Sequence, residues 1–260
     1  MISIVLLGAA GRMGRAVARA AADSQGFRIK ARVDRADCIP PAAARDAGES
    51  WSDSLDSSVA AGDVVVDFSA GPATRAAARV CAARGVALVS GTTGIDRETE
   101  EEIRAAAERV AVLRAANFSL GVAALRRALA ETIQALPDTW DIEIVERHHR
   151  GKVDSPSGTA LLLAADAAAP RGLQQDALRF GREGRVGPRP AAEIGVHAVR
   201  GGTWVGDHTV LLSGEGEWIE LRHVASDRQA FAYGALAAAR FLATSSPGLY
   251  TMNDVLNPHR

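Results

Sequence analysis

Several features that define special classes of protein are scarce or missing in this sequence. Its 260 residues include two cysteines, Cys38 and Cys81. These are too few for a disulfide framework and indicate thiols in a reducing cytoplasm. The longest apolar runs are strand-sized or Ala-rich, well short of the roughly 20 residues that a membrane-spanning helix needs. The first residues show neither a basic leader nor a cleavage site, so we expect no signal peptide and a cytoplasmic protein.

Charge of either sign is also not in excess. Lys and Arg number 30 against 31 Asp and Glu, which leaves a net charge of −1. We therefore expect neither nucleic acid nor an anionic membrane as a partner. Hydrophobic residues make up 47% of the chain, enough for a substantial core in one large domain or two modest ones.

The N-terminal segment has the pattern of a dinucleotide-binding turn. Ile2 to Leu7 is a continuous apolar, β-branched run, typical of a strand buried on both faces. A glycine-rich segment follows at 8–14, and then a helical stretch from Arg15 to Ala22. The glycine spacing is Gly-x-x-Gly-x-x-Gly, not the commoner Gly-x-Gly-x-x-Gly. It still allows a tight turn, contact between backbone and pyrophosphate, and close packing of the helix on the strand.

An acidic residue follows at the distance that such a turn requires. The second predicted strand, Phe27 to Val33, ends in Asp34 and Arg35. Asp34 is placed to meet the hydroxyls of the adenosine ribose, whereas Arg35 could accept a 2′-phosphate, so the pair predicts mixed use of NADH and NADPH. The alternative is a strand that ends in a solvated charge pair. Strand, glycine turn, helix and acidic residue together favour nucleotide binding.

Strands and helices continue to alternate up to residue 113. Strand-like runs lie at 63–68, 86–90 and 111–113, with helical stretches at 72–84 and 97–110 between them. This alternation predicts a parallel, doubly wound sheet, whose ligands bind at the carboxyl ends of the strands. The loops at 8–14, 91–94 and 115–119 all follow predicted strands, so we expect them to converge, although each could be an ordinary turn. The Gly-Thr-Thr-Gly loop at 91–94 offers small residues and two hydroxyls to nicotinamide or substrate.

Residues 146–160 concentrate the groups best suited to chemistry. They follow a strand-like run, Asp141 to Val145, and include two imidazoles and an ammonium before an Ala/Leu-rich helical run at 160–169. Ser157 is a suitable N-cap for that helix. A helix N-terminus presents free N–H groups and partial positive charge, and Lys152 adds to its attraction for anions. The segment predicts a site for a small anionic substrate with a proton donor nearby.

Two simpler interpretations of His148 and His149 remain open. Adjacent histidines can be part of a surface loop, or they can bind a metal ion. Neighbours on an extended chain point to opposite sides, however, so one ion rarely binds both. No Cys-x-x-Cys or His-Glu-x-x-His motif accompanies them, and we predict no metal site.

The second half of the chain breaks the alternating pattern. A long helical stretch runs from Leu120 to Leu136, and residues 171–190 are rich in Gly, Pro and Arg, which predicts a mobile connection. Strand-like runs at 194–200, 203–213 and 217–225 are separated by glycines and predict antiparallel hairpins. Helix returns at 228–244, and residues 252–256 close the chain.

We predict a dinucleotide-binding domain at 1–119, completed by 229–260. A second, α+β domain at 120–228 would carry a largely antiparallel open sheet, bind substrate and mediate oligomerisation.

Taken together, these motifs resemble the 4-hydroxy-tetrahydrodipicolinate reductase (dihydrodipicolinate reductase) family over nearly the whole chain. The resemblance lies in the turn at 8–14, the Asp34-Arg35 pair, the strand-end loops at 66–69, 91–94 and 117–119, the segment 146–160, the motifs at 200–202 and 206–209, and residues 225–228 with 231–232. It implies NAD(P)H-dependent reduction of a cyclic dicarboxylate in the diaminopimelate route to lysine. It also implies a cytoplasmic homotetramer joined through the sheet of the second domain.

The resemblance also implies roles for individual residues. His148 and Lys152 would be the catalytic pair, and from their chemistry we predict that Lys152 donates a proton and His148 assists or orients. Substrate would be bound by Thr93, His149, Lys152, Ser157, Gly158 and Thr159. Cofactor would be bound by Gly8, Ala9, Ala10, Gly11, Arg12, Met13, Asp34, Arg35, Gly91, Thr92, Thr93, Ala115, Ala116, Asn117, Phe118, Arg228 and Phe231.

Two positions depart from the family pattern. Ala116 stands where a proline is usual before Asn117, and residues 70–72 replace a more basic loop after Ser69. The second departure argues against a strong preference for NADPH.

Two other functions fit parts of the sequence. A nucleotide-sensing regulator on this fold would not need His148 and Lys152 together. A relative of aspartate or homoserine dehydrogenase would share only the first half.

Overall fold

The fold is given by a computed structural model, which describes residues 1–46 and 48–256. The chain divides into two compact units. The first contains Met1–Leu120 and Arg228–Arg260, and the second contains Gly121–Asp227.

The first part of the chain alternates strands with helices. In order, its elements are β1 (Ile2–Leu7), α1 (Arg12–Ala22), β2 (Phe27–Val33), β3 (Trp51–Ser52), α2 (Leu55–Ser58), β4 (Asp63–Asp67), α3 (Gly71–Arg84), β5 (Ala87–Ser90), α4 (Arg97–Ala107) and β6 (Ala111–Arg114). The second unit follows with α5 (Leu120–Ala135), β7 (Asp141–His148), α6 (Gly158–Ala168), β8 (Leu178–Phe180), β9 (Ile194–Arg200), β10 (Gly206–Ser213) and β11 (Trp218–Ala225). The chain then returns to the first unit as α7 (Gln229–Leu242), β12 (Gly248–Tyr250) and α8 (Met252–Leu256).

The first unit is built on a parallel sheet of seven strands in the order β12-β6-β5-β4-β1-β2-β3. All of its strand pairs are parallel, which confirms the predicted doubly wound sheet. The strand order reverses between β1 and β4, and a reversal of this kind creates a crevice at the carboxyl ends of the strands. Every residue of β4 is buried, as expected for a central strand covered by helices on both faces.

The second unit contains a mixed sheet of five strands in the order β11-β10-β7-β9-β8. Two pairs, β7–β10 and β10–β11, are antiparallel, whereas β7–β9 and β8–β9 are parallel. The predicted hairpin between β10 and β11 is confirmed. The predicted hairpin between β9 and β10 is wrong, because β7 lies between these two strands and pairs with both. The sheet is therefore mixed, where the sequence predicted a largely antiparallel one.

The segment at 171–190 has more structure than the mobile connection expected from its composition. It contains β8, which pairs in parallel with β9. Beyond β8, the guanidinium of Arg182 donates to Glu143 at 2.7 Å and that of Arg189 donates to the same carboxylate at 2.9 Å. The segment is thus tied to β7 by ion pairs that bridge 39 and 46 residues of sequence.

Strand β7 gives the second unit its two-sided character. Its residues alternate between half-buried and buried, with Ile142, Ile144, Glu146 and His148 on the buried face. The two isoleucines lie in an apolar core together with side chains of α5 and α6, where burial of each large aliphatic side chain contributes about 1.5–3 kcal/mol. The same alternation carries a carboxylate and an imidazole onto the buried face at the end of the strand.

In the part of the chain that the structure describes, no helix combines the length and the apolar character required to cross a membrane.

Candidate functional site

The glycine turn after β1 has the geometry that its sequence predicts. Gly8 adopts a φ of +76°, and a Cβ at this position would lie 2.6 Å from the carbonyl oxygen of Phe68. A Cβ on Gly14 would collide with the Gly8 carbonyl oxygen and would lie 2.6 Å from Ala9 Cα. Any larger residue would therefore force the turn away from the neighbouring strand or lift α1 from the turn.

Asp34 is held directly beside this turn. Its carboxylate accepts hydrogen bonds of 2.9 Å from the backbone N–H groups of Ala10 and Arg35. The side chain of Arg35 is 77% exposed, contacts Asp37 and donates to Cys38 Sγ at 3.3 Å. The carboxylate is thus oriented by two backbone donors, whereas the guanidinium lies at the surface.

A cavity of about 730 Å³ opens at this position, within the usual size range of ligand pockets. Its polar rim includes Gly8, Gly11, Asp34, Arg35 and Asp53, and its apolar side is lined by Leu55, Phe68, Ala73, Ala76, Ala77 and Val80. A polar rim next to an apolar slot suits a nucleotide, whose ribose and phosphates are polar and whose base is flat. The sequence did not predict the part formed by Asp53 and Leu55, because the short elements β3 and α2 give no periodic signal.

The strand-end loops after β4, β5 and β6 lie side by side. The rings of Phe68 and Phe118 pack edge to face with centroids 5.4 Å apart, and a Cβ on Gly91 would collide with the Phe68 ring. The backbone N–H of Ser119 donates to Asn117 Oδ1 at 2.8 Å, which shapes the last of these loops. The convergence of loops expected from the alternating pattern is present within this unit.

One of the two hydroxyls in the loop at 91–94 is not available to a ligand. The Thr92 side chain is buried, and its Oγ1 donates to the Asp67 carboxylate at 3.2 Å and accepts from Thr74 Oγ1 at 2.8 Å. The fully buried Asp67 also accepts hydrogen bonds from Ser69 and Ser90. This carboxylate, which the sequence analysis did not identify, connects the loops after β4 and β5. Of the two threonines in the loop, only Thr93 is exposed.

The other predicted nucleotide ligands lie outside the cavity lining. Arg12 is exposed and Met13 half-buried at the start of α1. Ala115 and Ala116 belong to the loop after β6, and Arg228 is exposed directly before α7, on which Phe231 is half-buried.

At the end of β7, Glu146 collects hydrogen bonds from several donors. The carboxylate is fully buried. Arg200 donates to both of its oxygens at 2.7 Å, the Ser157 backbone N–H donates at 2.9 Å, and His148 Nδ1 lies at 2.6 Å. Burial alone would raise the pKa of Glu146, but the hydrogen bonds from Arg200, His148 and Ser157 outweigh it and lower the pKa below its ordinary value. Glu146 is therefore ionised at neutral pH.

An ionised Glu146 determines the tautomer of His148. Because the carboxylate can only accept, Nδ1 of His148 carries the hydrogen and donates it, which leaves Nε2 as the free position of the neutral ring. A Cβ on Gly206 would lie 3.3 Å from His148 Nε2. The absence of a side chain at residue 206 therefore leaves space beside Nε2, the ring nitrogen that is not bonded to Glu146.

The helix start predicted at Ser157 is confirmed. Ser157 precedes α6, and its Oγ accepts from the backbone N–H of Ala160 at 3.2 Å. The same Oγ lies 3.0 Å from His208 Nε2. Gly158 and Thr159 form the first turn of the helix, where backbone N–H groups attract anions.

Lys152 lies in the turn that follows β7. Its ammonium lies 2.8 Å from both carboxylate oxygens of Asp154, and this ion pair was not predicted. The turn itself is held by the backbone of the neighbouring loop, because His149 N–H donates to the Trp204 carbonyl at 2.8 Å and Arg150 N–H donates to the Gly202 carbonyl at 3.3 Å. The chain has only two lysines, and the other, Lys30, pairs with Asp63 at 2.5 Å.

Arg200 and His208 are functional candidates that were assigned no role from sequence, although both lie in motifs that carry the family resemblance. Arg200 lies 54 residues from Glu146 and His208 lies 51 residues from Ser157, and no local pattern joins them. The alternation along β7 did carry a usable signal, because it places residues 146 and 148 on the same face as Ile142 and Ile144. Among residues 1–46 and 48–256, no group of three or more side chains is arranged to hold a metal ion.

Comparison with known proteins gives one consistent family. Residues 2–118 match the family model described as "Dihydrodipicolinate reductase, N-terminus", and residues 121–256 match "Dihydrodipicolinate reductase, C-terminus". The 4-hydroxy-tetrahydrodipicolinate reductase of Myxococcus xanthus (strain DK1622) is 44% identical over 273 residues, which cover 100% of this chain and 99% of the relative. The enzyme of the same name from Anaeromyxobacter sp. (strain Fw109-5) is 42% identical over 266 residues, which cover 98% of each chain.

A solved structure supports the same fold. The dipicolinate-bound dihydrodipicolinate reductase from Paenisporosarcina sp. TG-14 superposes with a TM-score of 0.79 at 24% identity, covering 96% of this chain and 97% of the other. At this identity the likeness shows the fold, and it confirms the predicted combination of a Rossmann-like unit with a second α+β unit.

Proposed function

The chain belongs to the dihydrodipicolinate reductase family, and on that premise we infer that it reduces 4-hydroxy-tetrahydrodipicolinate to tetrahydrodipicolinate, with loss of water and at the expense of NAD(P)H. It is accordingly an oxidoreductase of the diaminopimelate route to lysine. The observation that carries the substrate assignment is the end of β7, where an oriented imidazole, an ammonium and a helix N-terminus lie in one short stretch of the second unit.

The nucleotide fits the first unit. Gly8 and Gly14 leave no room for a Cβ, the turn therefore exposes its backbone, and Asp34 is oriented for a ribose. We propose that cofactor is bound by Gly8 to Met13, Asp34, Arg35, the backbone of 91–93, the loop 115–118, Arg228 and Phe231. When bound, NAD(P)H supplies the hydride.

We propose that the enzyme uses both NADH and NADPH and that its kcat/KM is higher with NADH. Among the described residues, the cavity lining presents the carboxylates of Asp34, Asp53 and Asp56, which repel a 2′-phosphate, against the guanidinium of Arg35. That guanidinium is exposed, and water and salt weaken the attraction of an exposed cation for a phosphate. The ratio of kcat/KM for the two cofactors, measured in the wild type and in Arg35→Ala, checks this. We expect Arg35→Ala to weaken NADPH use several-fold and to leave NADH use nearly unchanged.

The residues of the second unit are proposed to bind the dicarboxylate and to donate a proton to it during reduction. The N–H groups of Gly158 and Thr159 donate to one carboxylate, Ser157 caps the helix that presents them, and His149, Lys152 and Thr93 take part in binding the substrate. Hydride addition to a conjugated imine drives negative charge along the π-system, and a proton must meet that charge. The ammonium of Lys152 donates it, and His148 assists from its free Nε2. Glu146 acts through His148 as a positioning residue.

Replacement of Lys152 tests this assignment. Lys152→Ala is expected to lower kcat roughly a hundred- to ten-thousandfold, as for the loss of a general acid. The loss of NADH absorbance with enzymatically generated substrate measures it. Arg150→Ala, a change of a neighbouring exposed cation in the same turn, is the matched control and should keep most of the activity. Near-normal turnover of Lys152→Ala would contradict the role.

Dipicolinate, a planar dicarboxylate, provides a binding probe that needs no turnover. We expect the wild type to bind it and Lys152→Ala to bind it more weakly. A nucleotide-sensing regulator on this fold would bind NADH but would neither bind dipicolinate at this turn nor reduce the substrate, so the two readouts separate the two functions.

We further propose a cytoplasmic homotetramer joined through the sheet of the second unit. The face of this sheet opposite α5 and α6 carries large apolar side chains with high exposure, including Trp218 at 68%, Val224 at 54% and Val199 at 40%. Burial of such side chains between subunits is the usual source of stable association. Light scattering coupled to size-exclusion chromatography should give about four times the mass of the chain, and a monomer would contradict this proposal.

A further inference from the structure

Behind the proposed substrate-binding helix start lies a buried histidine that the mechanism above does not use. His208 stands on β10 opposite Glu146 of β7 and is only 4% exposed. Its Nε2 lies 3.0 Å from Ser157 Oγ, and its ring packs edge to face on His148 with centroids 5.2 Å apart. It thus contacts both the hydroxyl of the helix cap and the proposed catalytic imidazole.

Resting on the proposed function, we propose that His208 is a positioning residue for substrate binding, which holds the Ser157 hydroxyl and thereby the start of α6 in the geometry that receives a carboxylate. Ser157 Oγ already accepts from Ala160 N–H, so its own hydrogen is free to donate to His208 Nε2. The hydroxyl is then fixed from two sides, by a helix N–H and by an imidazole.

The hydrogen-bonding state of His208 argues against a role in packing alone. Its Nδ1 is buried and has no hydrogen-bond partner in the described part of the chain. A buried polar atom without a partner lowers stability, and an apolar side chain of similar size would avoid that loss. The contact of Nε2 with Ser157 gives a reason for an imidazole at this position.

The charge of the ring is consistent with this role. Burial, followed by the nearby His148 and His223, lowers the pKa of His208 to about 4, although Glu146 and Asp207 oppose the shift. A neutral ring at working pH can accept from the Ser157 hydroxyl, whereas an imidazolium cannot. A neutral ring also places no positive charge against His148.

Two conservative replacements separate the hydrogen bond from the packing. Glutamine can place its amide near the position of Nε2 and reach Ser157, whereas the shorter asparagine reaches only the position of Nδ1. We expect His208→Asn to raise the dissociation constant of dipicolinate and the KM of the substrate about five- to tenfold, the effect of one lost hydrogen bond. His208→Gln should stay within about twofold of the wild type, and in both variants kcat and the affinity for NADH should change less than about threefold.

The matched control is His223, the imidazole paired with His208 across β10 and β11. His223→Asn should leave dipicolinate affinity within about twofold of the wild type. In a double-mutant cycle, Ser157→Ala combined with His208→Asn should be no weaker in binding than Ser157→Ala alone, because both changes remove the same contact.

Several results would overturn the proposal. These are unchanged dipicolinate affinity in His208→Asn, equal losses in the asparagine and glutamine variants, an equal loss in His223→Asn, or independent effects in the cycle. A wild type that neither binds dipicolinate nor reduces the substrate would instead refute the proposed function, and the inference with it.

Discussion

Strand β7 presents one glutamate to each face of its sheet, and the two carboxylates have similar surroundings. Glu143, on the outer face, accepts hydrogen bonds from Arg182, Arg189 and His197. Glu146, on the inner face, accepts from Arg200 and His148 and from the backbone of α6. Each is an arginine-bound, histidine-bound carboxylate, yet we assign only one of them to the reaction.

The difference lies in what the partners of each carboxylate are connected to. The partners of Glu143 come from the segment 182–197, and their hydrogen bonds hold that segment against the sheet. The partners of Glu146 are the imidazole whose Nε2 faces Gly206 and the helix N-terminus that attracts anions. A cluster of charges therefore does not by itself indicate catalysis. The function follows from the groups that the cluster orients toward a ligand, which here are His148 Nε2 and the N-terminus of α6.

Replacing the two glutamates one at a time tests this comparison and should give the largest effect. Glu146→Gln removes the charge that holds the Nδ1 hydrogen of His148 and is expected to lower kcat/KM roughly a hundredfold. Glu143→Gln should change kcat/KM less than about threefold. The NADH assay measures both.

Glu146→Gln also removes the ion pair of Glu146 with Arg200. The thermal unfolding transition of each variant is therefore measured, to separate a loss of folding from a loss of catalysis. If Glu143→Gln loses as much activity as Glu146→Gln while remaining folded, the two faces are not functionally distinct and the assignment of Glu146 is wrong.

Stability at acid pH should depend on the outer carboxylate, Glu143. Burial would raise the pKa of Glu143, but hydrogen bonds from Arg182, His197 and Arg189 lower it to about 2. A carboxylate with a lowered folded-state pKa stabilises the protein above its unfolded-state pKa, and this stabilisation is lost as pH falls through the folded-state value. From the ordinary 4.5 to about 2, the contribution corresponds to about 3 kcal/mol.

Urea unfolding at a series of pH values measures this contribution. The wild type should exceed Glu143→Gln in free energy of unfolding by the largest margin at pH 5 and above. The margin should shrink as pH falls from about 4.5 towards about 2. A margin that does not depend on pH would show that the ion pairs of Glu143 do not stabilise the fold.

A third carboxylate, Asp154, should give the smallest effect. It is 55% exposed and pairs with Lys152, and its hydrogen bond with that ammonium lowers the pKa of Asp154. Because an exposed pair is worth about 1 kcal/mol or less, Asp154→Asn should lower the KM for the dicarboxylate by no more than about fivefold, as the ammonium no longer exchanges one carboxylate for another. A raised KM in this variant would show that Asp154 supports substrate binding and does not compete with it.

The first unit could be predicted from sequence because its order depends on local units. Each strand of β1, β2, β4, β5 and β6 is followed by its own turn and helix or loop, and parallel strands joined by helices leave few arrangements open. The strands that were not predicted are β3 and β12 in this unit and β8 in the second unit, and they contain two or three residues each. Such short runs show no periodicity and form only because a neighbouring strand offers its edge.

The second unit could be predicted only in part because its pairings are distant. Nothing near Ile194 indicates that its strand pairs in parallel with β7, and nothing near Arg200 indicates that it binds Glu146. The N-cap at Ser157 could be predicted because its bond to Ala160 spans three residues. The ion pair of Lys152 with Asp154 is also local, but it depends on a turn whose shape is fixed by the backbone of residues 202 and 204.

The position of dipicolinate in a crystal of this protein would show directly whether the start of α6 and Lys152 bind a dicarboxylate. We expect one carboxylate within hydrogen-bond distance, about 3 Å, of the N–H groups of Gly158 or Thr159. We expect the other at the ammonium of Lys152, with Asp154 displaced. Dipicolinate bound away from this helix start, with the pair of Lys152 and Asp154 intact, would contradict this expectation.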